Sequence, residues 1–579
     1  MNHDHDHDNG NDPLSVLRVR GNQVQMGRQI GELSRQLGGA DRTLGFYEQM
    51  ASAMLSLSIP APVRPAVRRM LRRALAVGAR RLDRARRRHF PEYAARTDAL
   101  FAGAGIDPKH VASMNVMDVL QNTVGTLGRL RLLETTGLSV AAVPACTSLA
   151  VWGEASADGH LRHARNFDFP GAGVWDRSPT VVLCDPDDGL RYGFVTTRGA
   201  DVPGVSAFNE AGLSLTAHTR FHRDVNFHGV SVVDFGHELI RCCRTLEDVR
   251  RRAAQMPTAS TWGFLVSSAE ANDAIVVETT ATGCAITSPG AGDAHLACTN
   301  RYLAPHLRPG EVTSSPSFAV DSDARFARAH EAPLRAGGRL SATQLQALLA
   351  DCGDPGAPDA EADDRLAGNC VSSAMTVQSV VFEPDQGRVR LSTGTAPTGL
   401  GPWAVVDYAW DGPVGTVQAP PPMRQPTGAA QAQRATRHYV DGTRAHLAGA
   451  SRETVRGHFE RAIELAPTEP NFRFLGALFA IAAGDFARAT EHLERMLDRE
   501  RGIFRRAQAL LWHGRVLAAS GRRLDAQRSW RELTELPADP SVTKLVQAAR
   551  KETRRPLTKL RLRTLVPDVF LIDATVPGT

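Results

Sequence analysis

The chain has 579 residues, 42% apolar and 22% charged, which excludes a wholly disordered or collagen-like protein. Lys and Arg total 68 against 62 Asp and Glu, so the net charge is only +6, a mild excess that gives no ground for a nucleic-acid partner. At roughly 100–200 residues per domain, the length accommodates several domains.

The N-terminal stretch MNHDHDHDNGNDP (1–13) is polar, lacks an apolar segment and does not read as a secretory signal. His3, His5 and His7 alternate with Asp there, a pattern able to chelate a metal, and the segment is read as a disordered tail. Residues 14–37 predict a short strand followed by a helix. Residues 42–58, 64–89 and 91–138 predict further helices. The helix over 64–89 carries eleven arginines against one acid, Asp83. Its Val67, Leu71, Ala74, Leu75, Gly78, Leu82 and Ala85 recur at spacings of three and four, one apolar stripe under a solvated arginine face. An anionic surface or acidic partner is the alternative use of that face.

From Val143 the texture changes to short β-like runs separated by turn residues. TSLAVWGEA faces LRHARNFDF across SADGH, TVVLCD faces RYGFVTT, and GVSAFN faces LSLTAHT. GFLVSSAE faces AIVVETT, CAITS and AHLACTN follow, and QSVVFEP faces RVRLSTG. Turn residues between β-branched runs predict hairpins. Helical patterns near 231–255, 322–335 and 341–352 make the middle of the chain α+β, with helices on antiparallel sheets. Residues 414–434 are Pro/Gln/Ala-rich and read as a linker. The pattern then becomes wholly helical over 435–540, with a tail at 541–579. The turn glycines Gly484 and Gly521 are 37 positions apart, near the period of about 34 residues of tetratricopeptide repeats, so this part is read as a repeat module that docks a protein partner or the rest of the chain.

The eight cysteines, at 146, 184, 242, 243, 284, 298, 352 and 370, form no CxxC pair. Scattered thiols fit a reducing, cytoplasmic location rather than a zinc ribbon or disulfide scaffold. No run of about 18 apolar residues is present, so no membrane-spanning helix is predicted.

One stretch carries chemistry: Val143-Pro144-Ala145-Cys146-Thr147-Ser148, with Ala164-Arg165-Asn166-Phe167-Asp168 on the returning strand. Here the sequence resembles the penicillin acyltransferase-like branch of the autoproteolytic N-terminal-nucleophile (Ntn) hydrolases, related to the choloylglycine hydrolases. The likeness spans about residues 14–410 and includes Arg20-Gly21, Gly27 and Gly31. It implies an αββα sandwich of two antiparallel sheets and a cysteine that heads the mature catalytic chain. It places Cys146, Arg165 and Asp168 at the nucleophile and its two supports. It also places Asn209 and Asn300 in the oxyanion region and Arg325 as a further supporting arginine. Many relatives have Gly before the nucleophile; this chain has Ala145.

The residue types suit the task. A thiol attacks only as thiolate. A cysteine at a chain start carries its own base, an α-amine with a pKa of about 8. Asp168 can hold that amine, Arg165 can favour the thiolate, and an oxyanion needs donors. The resemblance implies cleavage between Ala145 and Cys146, giving a helical small subunit (14–145 after the tail) and a catalytic domain (146–413). The reaction expected is acyl transfer from an amide, peptide or acyl-CoA thioester through a Cys146 thioester, with no metal or organic cofactor. Two alternatives are an acyl-CoA-dependent amine N-acyltransferase and a scaffold with a degenerate core. Cys242, Cys243 and Cys298 are assigned to packing, and His218, His222 and His228 show no metal-ligand spacing. Trp152, Trp175 and Trp262 are candidates for an acyl pocket or for plain core.

Overall fold

The computed structural model describes residues 12–46, 64–107, 119, 145–169, 171–312, 316–351, 370–373, 375–419, 429–447, 450–467 and 469–565. Over these residues fifteen strands form two sheets. The first runs β1 (Ser15–Gly21), β4 (Pro179–Pro186), β5 (Tyr192–Thr197), β6 (Ser206–Asn209), β7 (Leu213–Thr219), β8 (Trp262–Ser268), β9 (Asp273–Thr280), β10 (Gly283–Thr287). The second runs β11 (His295–Cys298), β2 (Ala145–Val151), β3 (Arg162–Asp168), β12 (Thr376–Glu383), β13 (Arg388–Ser392), β14 (Trp403–Asp407), β15 (Gly415–Ala419).

The two-residue period of the strands builds the layers. Val181 and Leu183 of β4 point between the sheets, against Val380 and Phe382 of β12. Val182 and Cys184 point outward, where α1 (Gln23–Leu37), α3 (Pro91–Ala104), α4 (Val232–Cys242) and α5 (Leu246–Gln255) cover the first sheet. On the other side, Leu149, Val151, Ala164 and Val381 meet Ala329 and Ala332 of α6 (Pro316–Arg335) and Leu345 and Leu349 of α7 (Ala342–Leu349). The result is an αββα sandwich.

The predicted hairpins form as β2–β3, β4–β5, β6–β7, β8–β9 and β12–β13, all antiparallel. One pairing departs from the all-antiparallel expectation. β1 joins β4 in parallel, Ser15 opposite Thr180 through Gly21 opposite Pro186. More than a hundred residues of connection separate the two strands in sequence, so no hairpin forces them antiparallel. The strand is followed at once by α1, whose capping box pairs Asn22 with Gln25. On α1, Gly27 and Gly31 lie so close to α3 that a Cβ on either would meet a backbone carbonyl oxygen, of Arg96 and Leu100, at 2.2 Å.

The Arg-rich helix is α2 (Arg64–His89), 26 residues long and longer than its neighbours in the N-terminal part. Its Leu82 and Ala85 are buried. Its Arg86 reaches Asp234 of α4 through two bonds of 2.8 and 2.9 Å. Of the helices predicted over 42–58 and 91–138, residues 47–58, 108–118 and 120–138 lie outside the described residues.

The boundary after the catalytic domain moves. Gly415–Ala419, read as linker, is the edge strand β15, paired with β14. The first helix of the tail, α8 (Ala429–Leu447), starts within the predicted linker. Helices continue as α9 (Arg452–Leu465), α10 (Pro470–Ala483), α11 (Phe486–Arg499), α12 (Ile503–Ala519) and α13 (Arg523–Glu535). The segment read as a terminal tail adds α14 (Thr543–Arg554) and α15 (Lys559–Leu565). α14 is fixed by its Glu552 pairing Arg515 of α12 at 2.8 Å. Gly484 and Gly521 adopt φ of +88° and +85°, left-handed conformations that end α10 and follow α12. No helix among the described residues is long and apolar enough to cross a membrane. The seven described cysteines are free thiols.

Candidate active site

The site lies at the N-terminal end of β2, where the register pairs Ala145 with Asp168 and Cys146 with Phe167. Alternation points Cys146, Ser148 and Ala150 between the sheets and Thr147 to the α6 side. Arg165 follows the same rule on β3 and crosses the sandwich. Its Nη2 donates to Cys146 Sγ at 3.4 Å and to the Ala217 carbonyl at 2.8 Å. Its Nη1 donates to the Val205 carbonyl at 2.6 Å and to the Ser206 hydroxyl. The guanidinium is thus held in place before any substrate arrives, with its carbon 4.7 Å from the centre of the Phe167 ring.

On the opposite side stands Arg325 of α6, 1% exposed. Its Nε donates to Asp321 at 2.7 Å, one helical turn earlier. Its Nη1 donates to the Cys146 carbonyl at 2.7 Å and to Thr147 Oγ1 at 3.0 Å, and its Nη2 to Asn300 Oδ1 at 3.0 Å. Asn300, just past β11, accepts from the Cys146 backbone N–H at 2.9 Å through the same oxygen, and its Nδ2 donates to the Thr219 carbonyl at 3.2 Å. Asp168 accepts from Thr376 Oγ1 at 2.6 Å through Oδ1. Its other oxygen, Oδ2, is buried with no hydrogen-bond partner among the described residues.

Burial sets the protonation states. It pushes the Asp168 carboxyl up to about 7, against the pull of Arg325, Thr376 and Arg165. Burial also raises the Cys146 thiol, opposed by Arg165. Behind the site lies a polar layer between the sheets. His163 bonds Ser267 Oγ and Thr216 Oγ1, each at 2.9 Å, and Thr216 in turn lies 3.0 Å from Ser148 Oγ. Burial, with Arg165 nearby, lowers His163 to about 3, and His218 falls well below its usual range. Both imidazoles are therefore neutral at physiological pH.

Five of the six residues named from sequence converge here: Cys146, Arg165, Asp168, Asn300 and Arg325. Asn209 does not. It ends β6, and all its polar capacity is spent on backbone. Its amide donates to the Ile240 and Cys243 carbonyls at 2.8 and 2.9 Å. Its Oδ1 accepts from Ala211 and Leu213, both at 3.1 Å. It fastens the β6–β7 turn to the end of α4, a structural task. Cys298 is held by Arg220 at 3.2 Å, its thiol pushed up to about 11 by burial. Of the three tryptophans, only Trp175 shares a core cluster with Cys146. Phe167, Phe169, Val202, Met375 and Val377 belong to the same cluster. The Phe167 and Trp175 rings meet edge to face at 5.3 Å.

Thr147, Thr219, Asp321 and Thr376 complete the site and were not singled out from sequence. Asp321 and Arg325 are four residues apart on one helix, a spacing that signals a facing pair. Thr219, whose carbonyl accepts from Asn300, has a buried hydroxyl with no hydrogen-bond partner among the described residues, and no sequence signal marks it.

The two-sheet αββα sandwich thus gathers a cysteine, two arginines and an aspartate at one strand end. Residues 157–394 match the family model described as acyl-coenzyme A:6-aminopenicillanic acid acyl-transferase, so the resemblance read from sequence holds over that stretch. A solved structure, the Caenorhabditis elegans N-acylethanolamine-hydrolyzing acid amidase (NAAA) ortholog, is similar at 14% identity and a TM-score of 0.29. The match covers 41% of this chain and 93% of that one. No curated protein matches the chain.

Proposed function

We propose that the chain is an autoproteolytic cysteine acyl-transferring enzyme, with Cys146 as nucleophile both for its own maturation and for its substrate. The observation that carries this reading is the Oδ2 of buried Asp168, which has no hydrogen-bond partner among the described residues and belongs to the residue paired with Ala145, one position before Cys146. A carboxylate oxygen left unsatisfied in the interior is costly, and a freed α-ammonium on Cys146 would supply the missing donor.

In maturation, the Cys146 thiol attacks the Ala145 carbonyl carbon and the acyl group moves from nitrogen to sulfur. That shift breaks the C–N bond and frees the Cys146 α-amine, and water then hydrolyses the thioester, releasing the Cys146 thiol and the Ala145 carboxylate. In catalysis that amine takes the thiol proton, the thiolate attacks the substrate carbonyl, and the proton passes to the leaving group. Arg165 favours the thiolate. Asn300, already fixed by Thr219 and Arg325, is the candidate oxyanion donor. The apolar wall of Phe167, Phe169, Trp175, Met375 and Val377 suits a hydrophobic acyl group. The acyl donor is an amide, a small peptide or an acyl-CoA thioester, and the acceptor is water or an amine.

Intact-mass analysis of the purified protein tests maturation. Fragments of 145 and 434 residues, whose lengths sum to the 579 of the chain, are expected, and Cys146→Ala should leave one uncut chain. An uncut species that turns over substrate would remove the maturation step from the proposal. Incubation with an acyl-CoA or an acyl amide, followed by peptide mapping, should find the acyl group on Cys146.

A further inference from the structure

The helical tail contains a group of side chains that acyl transfer does not use. His438 and Asp441 lie one turn apart on α8, and His458 faces them from α9. One potential ligand atom from each, an imidazole nitrogen or a carboxylate oxygen, lies within 4.8 Å of the others. The two imidazole rings are 6.3 Å apart and inclined by 39°.

Three further observations bear on the group. The His438 Nδ1 is buried and has no hydrogen-bond partner among the described residues, an expensive condition unless a ligand completes it. The helices are also unusually close at this level. A Cβ on Gly442 would meet His458 Cβ at 3.0 Å and the Phe459 ring at 3.1 Å, so glycine there lets His458 reach the α8 side chains. Lastly, Asp441 lines a small cavity of about 50 Å³, partly open to solvent, between α8 and the two-sheet domain. Ala172, Asp176 and Ala396 form its opposite wall.

Two imidazoles and one carboxylate form a nitrogen–oxygen donor set suited to zinc and neighbouring divalent transition metals, and poorly suited to calcium or magnesium. Zinc bonds to these ligands are about 2.0–2.2 Å long, so side-chain rotations would have to draw the three donors together. We propose that His438, Asp441 and His458 bind a zinc-class divalent ion that staples α8 to α9, with an open coordination position left for water from the cavity. The site is independent of the Cys146 chemistry.

The N-terminal His3, His5 and His7 compete for the same ions, so the test uses the full chain carrying His3, His5 and His7→Ala. Metal-stripped protein is titrated with Zn2+ by calorimetry and with Co2+ by visible absorption. One equivalent of Zn2+ is expected, with Co2+ bands of a four-coordinate histidine site. His458→Gln and Asp441→Asn are then compared, each checked for fold by circular dichroism. Loss of the one-equivalent isotherm in either folded variant supports the site. No binding in the parent chain, absence of the four-coordinate Co2+ bands, or undiminished binding in both variants overturns it.

Discussion

At the scale of single residues, Asp168 is the most informative group. Burial holds its carboxyl at about 7 in the uncut chain, whereas an unfolded aspartate ionises near about 3.9. Below pH about 4 both states carry the proton. As pH rises from about 4 to about 7, the unfolded chain gives up its proton and the folded chain keeps it, so the fold loses relative stability; above about 7 the deficit is constant. In a Cys146→Ala background, which stays uncut, adding Asp168→Asn should remove that slope. Thermal unfolding at pH 4 and pH 8 should show the Asn variant gaining up to about 4 kcal/mol relative to its parent over that interval. An equal difference at both pH values would show that Asp168 is not held protonated. Asn300 makes a second residue-scale prediction. Its Oδ1 ties Cys146 and Arg325 together while its amide faces the Thr219 carbonyl. Asn300→Ala should lower kcat by about 10²–10³-fold with little change in KM, measured by steady-state turnover of whichever acyl substrate labels Cys146.

Among the elements, the contact between α1 and α3 is the most demanding. The carbonyl oxygens of Arg96 and Leu100 occupy the space where side chains of residues 27 and 31 would begin. Gly27→Ala forces the helices apart, and a loss of about 1–3 kcal/mol is expected, read as a shift of the urea midpoint without a change of slope. That contact matters to the site because α3 carries Arg96, 1% exposed. Its guanidinium donates to Asp201 at 2.6 and 2.9 Å, to Gln23 at 2.9 Å and to the Tyr192 hydroxyl at 3.0 Å. Asp201 precedes Val202, which shares the core cluster of Cys146. Removing one partner of a buried pair strands the other charge, so Arg96→Met should destabilise by about 3–5 kcal/mol.

Over the whole molecule, the segment before Cys146 is built into the fold rather than appended to it. β1 is an integral strand of the first sheet, α1 and α3 cover that sheet, and Arg86 and Arg96 form buried ion pairs with Asp234 and Asp201. Cleavage at Cys146 should therefore leave the two fragments together. Size-exclusion chromatography of mature protein should return the mass of the intact protomer in native buffer, and denaturing electrophoresis should resolve two bands. Free 434-residue protein in native buffer would contradict this. At the other end, Ala435, Tyr439 and Val440 of α8 share a core cluster with Ala172 and Ala396 of the catalytic domain. The helical tail thus packs against the loop after β3 that also carries Trp175.

The sequence by itself determined the strand pairs and the helical tail, and family likeness supplied the αββα class and the candidate site residues. Strand alternation and turn residues act over short distances, and local physics makes them readable, whereas the Cys-Thr-Ser with Arg-Asn-Phe-Asp pattern was read through family likeness. Arg325 was legible only through family likeness, and Asn209 entered the site on that ground and left it once its four backbone bonds were visible. Tertiary structure alone decided the parallel docking of β1, the edge strand β15 and the place of Thr219 against Asn300 and of Thr376 against Asp168. It also brought His458 across to His438 and Asp441. Each of these depends on which segments meet after the chain collapses, and burial there is what shifts Asp168 and leaves its second oxygen waiting for a donor. No window of local sequence carries that information.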